Sequence, residues 1–288
     1  MSETLTDRRT ATRRPDLVAW FSGTWLVVLA VLAAAAPLLP LPEHVDLTRS
    51  LTAPTLSGPD PASGHLLGTN AFGLDLFARA LHGARSSLAI ALAAVALGAV
   101  VGGALGILAG YLGRTVDTVV GVATNVLLAV PPLILLIALA TVLEPNARNV
   151  TLALALLTVP TMVRLARANT MAFAQREFVL AARAMGASGW RVMTRELLPN
   201  VLLPVLSMAM VLISVLVVAE ASLSFLGLGI QPPAPTWGNM IAEGEGRVLE
   251  EHPHVVLVPG VFLFLTVFSF NILGEKARKR WDTRSGAR

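Results

Sequence analysis

The sequence predicts an all-α, polytopic membrane protein with six transmembrane helices. Only 14% of its 288 residues are charged and 55% are hydrophobic, whereas about a quarter of the residues of a soluble protein are charged. The mean hydropathy is +0.69. The apolar residues form blocks of about 20, which is the length that a helix needs to cross about 30 Å of hydrocarbon.

The predicted spans follow the chain in order. The first comes after a basic tail, 1–18, in which Arg13 and Arg14 resemble the start of a signal peptide. Its apolar block is longer than a signal peptide requires, so we expect an uncleaved helix. A polar loop, 40–85, precedes the second span, and a basic tail, 276–288, follows the last. The six spans are predicted at 19–39, 87–112, 116–143, 150–168, 199–219 and 255–273.

The second span is rich in small residues, with the stretch GAVVGGALGILAG beginning at Gly98. Gly102, Gly106 and Gly110 are spaced four residues apart, and this spacing lets helix backbones approach closely in lipid. We expect packing against another helix of the same chain, with a contact between subunits as the alternative.

The third span contains Pro131 and Pro132, which are expected to break it. A hinge or wall of a translocation pathway is one interpretation, although prolines are also tolerated in spans without such a role. Ionisable residues in spans often mark function, but Asp117, Arg164 and Glu220 all lie near predicted span ends. The candidate pathway residues are therefore Asn125, Pro131, Pro132, Ser207 and Ser214.

A charged stretch, LAARAMGASGWRVMTRELLPN, interrupts the apolar chain from Leu180 onwards. The sequence predicts a helix from Glu177 with Ala182 and Gly186 on one small-residue face. Ser188 is the predicted N-cap of a second short helix, and Pro199 suits the first turn of the next span. The pattern predicts a docking surface, and an amphipathic loop on anionic lipid is the alternative.

The distribution of basic residues predicts the orientation. Of the 22 Lys and Arg residues, all but five fall on the side of both termini and of the 177–200 loop. The positive-inside rule then places that side in the cytoplasm. The five on the opposite side are Arg49, Arg79, Arg85, Arg148 and Arg247.

Several classes of site are disfavoured. The chain has no cysteine, which rules out disulfides and thiolate chemistry. His44, His65 and His82 and the acidic residues of 221–254 lack metal-ligand spacing, so we expect them to be solvated. The basic residues cluster at span ends rather than with exposed aromatics, which argues against nucleic-acid binding despite a pI near 10.5. No phosphate-binding G-x-x-x-x-G-K-[ST] sequence or catalytic constellation occurs, so neither ATP binding nor enzymatic activity is expected in this chain.

Four stretches together carry a family resemblance. The charged loop resembles the "EAA loop" of binding-protein-dependent ABC importer permeases, through Glu177, the run AARAMGAS and the Leu198-Pro199-Asn200 triplet. Three further stretches are similar to dipeptide, oligopeptide and nickel permeases of the C-subunit type. They are HLLGTNAFGLDLFARALHGARSSL (65–88), EASLSFLGLGIQPPAPTWGNMI (220–241) and PGVFLFLTVFSFNILGEKAR (259–278).

The resemblance implies a type I ABC importer permease fold in a prokaryotic cytoplasmic membrane, with both termini cytoplasmic. A permease core at 86–275 would pair with a homologous permease subunit, two ATPase subunits or a fused pair, and an extracytoplasmic solute-binding protein. ATP and Mg would be bound by the ATPases. The loop at 177–200 would dock on them, with peptides as the default solute. The coupling residues are expected to be Glu177, Ala181, Ala182, Arg183, Gly186, Ala187, Ser188 and Trp190.

Two departures and two rival functions accompany this interpretation. Asn70 and Leu74 stand where the family more often has an acidic residue and an arginine, which affects any contact that those positions make with a partner. An ion-coupled transporter or channel, or a scaffold that recruits a cytoplasmic protein, are the alternatives. On the importer hypothesis, Gly186→Asp is expected to leave insertion intact and to uncouple ATP hydrolysis from uptake.

Overall fold

The computed structural model describes residues 16–48, 50 and 53–285, with the side chains of 280–285 left out. The predictions for residues 1–15, including Arg13 and Arg14, and for Arg49 lie outside the described residues. Single 3-10 turns occur at Ala36–Leu38 and Pro61–Ser63. The α-helices are α1 Leu17–Ala35, α2 Leu76–Leu112, α3 Arg114–Ala129, α4 Pro132–Val142, α5 Ala147–Ala174, α6 Glu177–Ala184, α7 Gly189–Arg191, α8 Leu198–Phe225, α9 Trp237–Ala242, α10 Arg247–Glu251 and α11 His254–Ser285.

The predicted fold class is confirmed. In the described part of the chain, five helices are long and apolar enough to cross a membrane, and the α3–α4 pair makes a sixth if it counts as one broken span. Helices α2, α5 and α8 form the core. Helix α11 packs on α8, and α1 packs on the outside against α11 and α2.

Helix α2 is much longer than the predicted span, because it begins at Leu76 rather than at residue 87. Asp75 caps it, since its Oδ1 accepts a hydrogen bond from the backbone N–H of Ala78 at 2.7 Å. At 1.5 Å per residue, 37 helical residues span about 55 Å, so the first turns extend beyond about 30 Å of hydrocarbon. Helix α11 likewise continues through Ser285, where a basic tail is predicted from residue 276.

The predicted break in the third span is confirmed. Helices α3 and α4 are bent by 88° at the proline pair. Val130 and Pro131 have extended ψ angles of 127° and 131°, which is the conformation that a following proline imposes. Pro132 then begins α4, where its missing N–H costs no hydrogen bond.

The glycines of α2 form a seam against α5. Gly98, Gly102, Gly106 and Gly110 meet α5 at positions that advance in step from Thr158 to Thr170, so the two helices run parallel. A Cβ atom at Gly106 would lie 2.6 Å from both the Ala166 Cβ and the Val163 carbonyl oxygen. The expectation of packing within the chain is confirmed.

The described residues of segments 36–75 and 226–253 together form a cap over the N-terminal end of α2, and Arg79 contacts both segments. The Arg79 side chain is fully buried. Its guanidinium donates to the carbonyl oxygens of His44 (3.1 Å) and Pro233 (3.4 Å) and to the Glu243 carboxylate. Arg79 therefore ties both cap segments to α2.

The cap also corrects two expectations. Asn70 and Leu74 are buried within the chain, and Asn70 Nδ2 donates to Glu243 Oε2 at 2.7 Å, so these departures affect internal packing rather than a partner contact. His65 and Glu243 are not solvated, since both are largely buried: His65 Nδ1 lies 3.0 Å from Asp75 Oδ2, and Glu243 is ion-paired with Arg79. Among the described residues no group of three or more His, Asp or Glu is placed to hold a metal ion.

Candidate functional site

The 177–191 segment stands at the opposite end of the molecule from the cap. Its first helix, α6, ends at Ala184 rather than continuing through residue 188. Gly186 adopts a φ of +82°, and two backbone hydrogen bonds of 3.0 Å close the turn, from Gly186 N–H to the Arg183 oxygen and from Ala187 N–H to the Ala182 oxygen. This is a Schellman C-cap, in which glycine is favoured because a side chain is strained at positive φ.

The C-cap corrects the prediction that Ala182 and Gly186 share one helix face. Gly186 lies beyond the helix end, and open space surrounds the position that its Cβ would occupy. Ala182 is only 7% exposed, so its methyl group faces the protein. The small residue at 186 is explained by the turn itself.

The second half of the segment leads directly into a span. Ser188 is an N-cap as predicted, since its Oγ accepts from the Arg191 N–H at 3.4 Å. The chain then continues through a π-helical turn, Val192–Leu197, into α8, and Gly189–Phe225 forms one apolar helical unit. The predicted short helix and the fifth span are therefore continuous. Helical backbone therefore connects Ser188 to α8 without a break.

The inner face of the segment is anchored by apolar packing. Val179 in the segment, and Val192 and Leu197 in the turn that follows it, are fully buried in the main core. Burial of such side chains contributes roughly 1.5–3 kcal/mol each. This packing attaches the segment to the core at Val179 and at the turn that follows it.

The outer face is exposed and partly apolar. Met185 is 82% and Trp190 69% exposed, and the smaller apolar surfaces of Phe178 and Leu180 lie on the same segment. Large exposed apolar side chains that cluster beside polar ones are typical of a protein interaction site. Of the other predicted coupling residues, Ala187 is half-buried, and the exposed ones are Glu177, Ala181, Arg183, Gly186 and Ser188.

Two features of this surface escaped the sequence analysis. Met185 is its most exposed apolar side chain, and its position in the turn between two helices was the available signal. Tyr111, the only tyrosine, lies at the end of α2, and the guanidinium carbon of Arg183 is 5.0 Å from its ring centroid. Such cation–π contacts are worth about 0.5–1 kcal/mol at exposed sites. The contact fixes the segment to the end of α2.

The predicted pathway residues separate into two groups. Asn125 is exposed on α3, where its Oδ1 accepts from Arg164 at 2.9 Å, and Pro131 and Pro132 form the exposed bend. Ser207 and Ser214 are buried, and each hydroxyl donates to a carbonyl oxygen three residues earlier in its own helix. The pathway role of all five stays a prediction.

Two arginines of α5 hold α3 along its length. Besides the Arg164–Asn125 contact, Arg167 forms a two-pronged ion pair with Asp117, of which the Nη2–Oδ2 distance is 2.7 Å. Paired geometry of this kind is specific to the planar guanidinium group. It holds the first turn of α3 to α5.

The chain is similar to known transport proteins over most of its length. Residues 102–283 match the family described as "Binding-protein-dependent transport system inner membrane component". The glutathione transport system permease protein GsiD of Pectobacterium atrosepticum is 38% identical over 78% of this chain and 74% of its own length. The dipeptide transport system permease protein DppC of Alkalihalophilus pseudofirmus is 34% identical over 88% of this chain and 82% of its own.

The fold has a counterpart among solved structures. A chain of the MetNI methionine ABC transporter, in an inward-facing conformation, superimposes with a TM-score of 0.56, and the match covers 71% of this chain and 95% of that one at 21% identity. At that identity the likeness concerns the fold alone. The family match and the relatives confirm the resemblance drawn from the sequence. The chain belongs to the family of binding-protein-dependent transport system inner membrane components.

Proposed function

We propose that this chain forms half of the translocation pathway of an ATP-driven importer and that ATPase subunits dock on the exposed face of the 177–191 segment. The docking site is inferred from the two faces of this segment. Its inner face is buried against the core, whereas its outer face exposes the apolar side chains of Met185 and Trp190. The continuous helical connection to α8 supplies the means of transmitting movement. Two homologous permease subunits, each with such a segment, would bind an ATPase pair.

The solute is proposed to be a short peptide or a related small molecule. Support comes from the relatives, whose names specify dipeptides and glutathione. A solute-binding protein would deliver it on the cap side. The excess of Lys and Arg on the 177–191 side supports a cytoplasmic location for that side, in a prokaryotic cytoplasmic membrane. The ATPase subunits would bind ATP and Mg.

The mechanism follows from rigid-body switching between two packings. Closure of the ATPase dimer on ATP would move the 177–191 segments together, and α8 would move with each of them. Helix α4 and the bend at Pro131 would then open or close the pathway. After hydrolysis the subunits would return to the inward-facing packing.

A charge at Met185, the most exposed apolar side chain of the 177–191 segment, tests the docking site. Met185→Glu is expected to reduce the amount of ATPase that co-purifies from mild detergent at least tenfold, because it places a charge in an apolar contact, where the loss of a hot-spot residue costs about 2 kcal/mol or more. Leu249→Glu, on the exposed surface of the cap, is the matched control and should retain the ATPase. If Met185→Glu retains the ATPase fully, the docking site is misplaced.

The Gly186 turn supplies a second arm of that experiment. Asn and Asp tolerate positive φ similarly, so Gly186→Asn and Gly186→Asp carry the same backbone strain and differ in charge. We expect Gly186→Asp to uncouple ATP hydrolysis from uptake and Gly186→Asn to remain largely coupled. Equal loss in both would assign the effect to the turn and not to docking. Native chain that purifies with no ATPase would favour an ion-coupled carrier instead.

The bent α3–α4 pair is proposed as a wall of the pathway. Because the chain has no cysteine, a single Asn125→Cys reports the position alone. Its reaction with a membrane-impermeant thiol reagent is expected to change at least threefold between the ATP-bound and nucleotide-free complex, whereas Val261→Cys on the exposed face of α11 should not change. A rate independent of nucleotide would remove Asn125 from the pathway.

A further inference from the structure

A shallow apolar groove lies between α2 and the start of α5, away from both the cap and the 177–191 segment. Its volume is about 290 Å³, and it is lined by Ala89, Ile90, Leu97, Ala147, Arg148, Thr151 and Leu152. This is close to the lower end of the range for small-molecule sites, about 300–1,000 Å³. The groove exists because small residues at positions 89 and 147 face each other across the two helices.

The groove runs along the membrane-spanning part of the molecule from one interface. Eight residues separate Ala89 from Leu97 along α2, which is about 12 Å of helix and most of the roughly 15 Å that one leaflet contributes to the hydrocarbon core. Beyond its rim, Leu92, Val100 and Val101 are exposed apolar side chains of the same helix. The groove is thus a slot of the length and polarity of one lipid leaflet.

Two guanidinium groups stand at the mouth of the slot. Arg148 lines it, and Arg85 lies one helical turn before Ala89 on the same side of α2. Both are exposed, and neither has an ion pair or hydrogen bond to any other described residue. Glu144 precedes α5 and is not ion-paired with Arg148. The N-terminus of the 28-residue helix α5 adds its positive dipole end at the same level.

We propose that this slot binds one anionic phospholipid, with an acyl chain between α2 and α5 and the headgroup phosphate between Arg85 and Arg148. The charge argues for a lipid over a protein occupant. A phospholipid brings a phosphate to this depth and an acyl chain below it, which matches two unpaired guanidinium groups above an apolar slot. The site does not depend on the solute or on the docking of ATPases.

Native mass spectrometry of the full chain, released from nanodiscs with the subunits that co-purify with it, tests the proposal. The discs contain equal amounts of phosphatidylglycerol and phosphatidylcholine. The native protein is expected to retain one phosphatidylglycerol per copy of this chain, and the double variant Arg85→Gln, Arg148→Gln at least fivefold less. Arg247→Gln, an exposed arginine on the cap, is the matched control and should behave as the native protein.

A second variant separates the slot from the charges. Ala89→Trp fills the slot without removing an arginine and is expected to reduce retention to the same degree, with Ala89→Met as the milder form if the tryptophan prevents assembly. Equal retention of both lipids by the native protein would overturn the proposal. So would displacement of the lipid by inorganic phosphate, or a crosslink from Thr151→Cys to a second permease subunit, since the slot would then be an anion site or a subunit contact.

Discussion

Replacing Arg79 with alanine is expected to open the cap and to lower the free energy of unfolding by about 3–5 kcal/mol, the cost of breaking a buried ion pair. Glu243 would remain as an uncompensated charge in a largely buried site, and the carbonyl oxygens of His44 and Pro233 would lose their donor. An unsatisfied buried acceptor adds about 1–3 kcal/mol.

The opening can be measured with one engineered thiol. Met240 belongs to the cap and is fully buried against α2, so a Met240→Cys chain should react slowly with a thiol reagent, and adding Arg79→Ala should increase its rate strongly. Arg85→Ala, an exposed arginine on the same helix, is the control and should leave the rate unchanged. The double variant Arg79→Met, Glu243→Gln removes both charges together. It is expected to recover part of the free energy of unfolding that Arg79→Ala loses. A slow rate in Arg79→Ala would show that Arg79 does not hold the cap closed.

Gly106→Ala is expected to destabilise the chain by about 1–3 kcal/mol, the usual cost of overpacking a filled interior. Its Cβ would lie 2.6 Å from two atoms of α5, one of them a backbone oxygen, and 2.9 Å from the Arg167 nitrogen. Since backbone atoms cannot rotate away, the two helices would have to separate along the seam.

The adjacent glycine supplies a matched control. A Cβ at Gly103 would meet nothing within 4 Å, so Gly103→Ala should be neutral or stabilising, because alanine is preferred over glycine in a helix by about 1 kcal/mol. Thermal inactivation of ATP-dependent uptake in proteoliposomes, compared across the two variants, measures the difference. Equal midpoints for Gly103→Ala and Gly106→Ala would contradict the seam.

The order of the spans was predictable because lipid imposes long apolar blocks whatever the tertiary packing. The bend at Pro131 and the helix N-cap at Ser188 were predictable because proline restricts the backbone next to it and the serine hydroxyl accepts a hydrogen bond from a nearby backbone N–H. The seam was predictable for a related reason, since glycines four residues apart favour a close helix contact. All of these predictions depend on the local effects of single residues or on the regular spacing of residue types along the chain.

The cap was not predictable in the same way. Arg79 and Glu243 are 164 positions apart, and no local pattern links an arginine in one polar segment to a carboxylate in another. Helix α2 begins before the predicted span because its first turns lie outside the hydrocarbon. These turns carry polar residues and therefore do not belong to an apolar block. The prediction that Gly186 shares a small-residue face with Ala182 was wrong. A glycine just after a helix with Arg183 in its last turn is itself a C-cap signal.

The π-helical turn at Val192–Leu197 affects the phase of α8, which is the direction of its side chains around the helix axis relative to the 177–191 segment. A regular α-helix advances about 100° per residue, and a π-turn accommodates one residue more than an α-turn in nearly the same rise. Removing one residue from 192–197 would restore the regular winding and leave that phase nearly unchanged, because the π-turn absorbs the additional residue. The same additional residue in a regular α-helical turn would instead rotate every side chain of α8 by about 100° about its axis relative to Trp190. Glu220, which is fully buried and accepts a hydrogen bond from Ser224 at 2.7 Å, would swing out of the core. The wider turn therefore lets the buried face of α8 keep its orientation relative to the 177–191 segment with one additional residue between them.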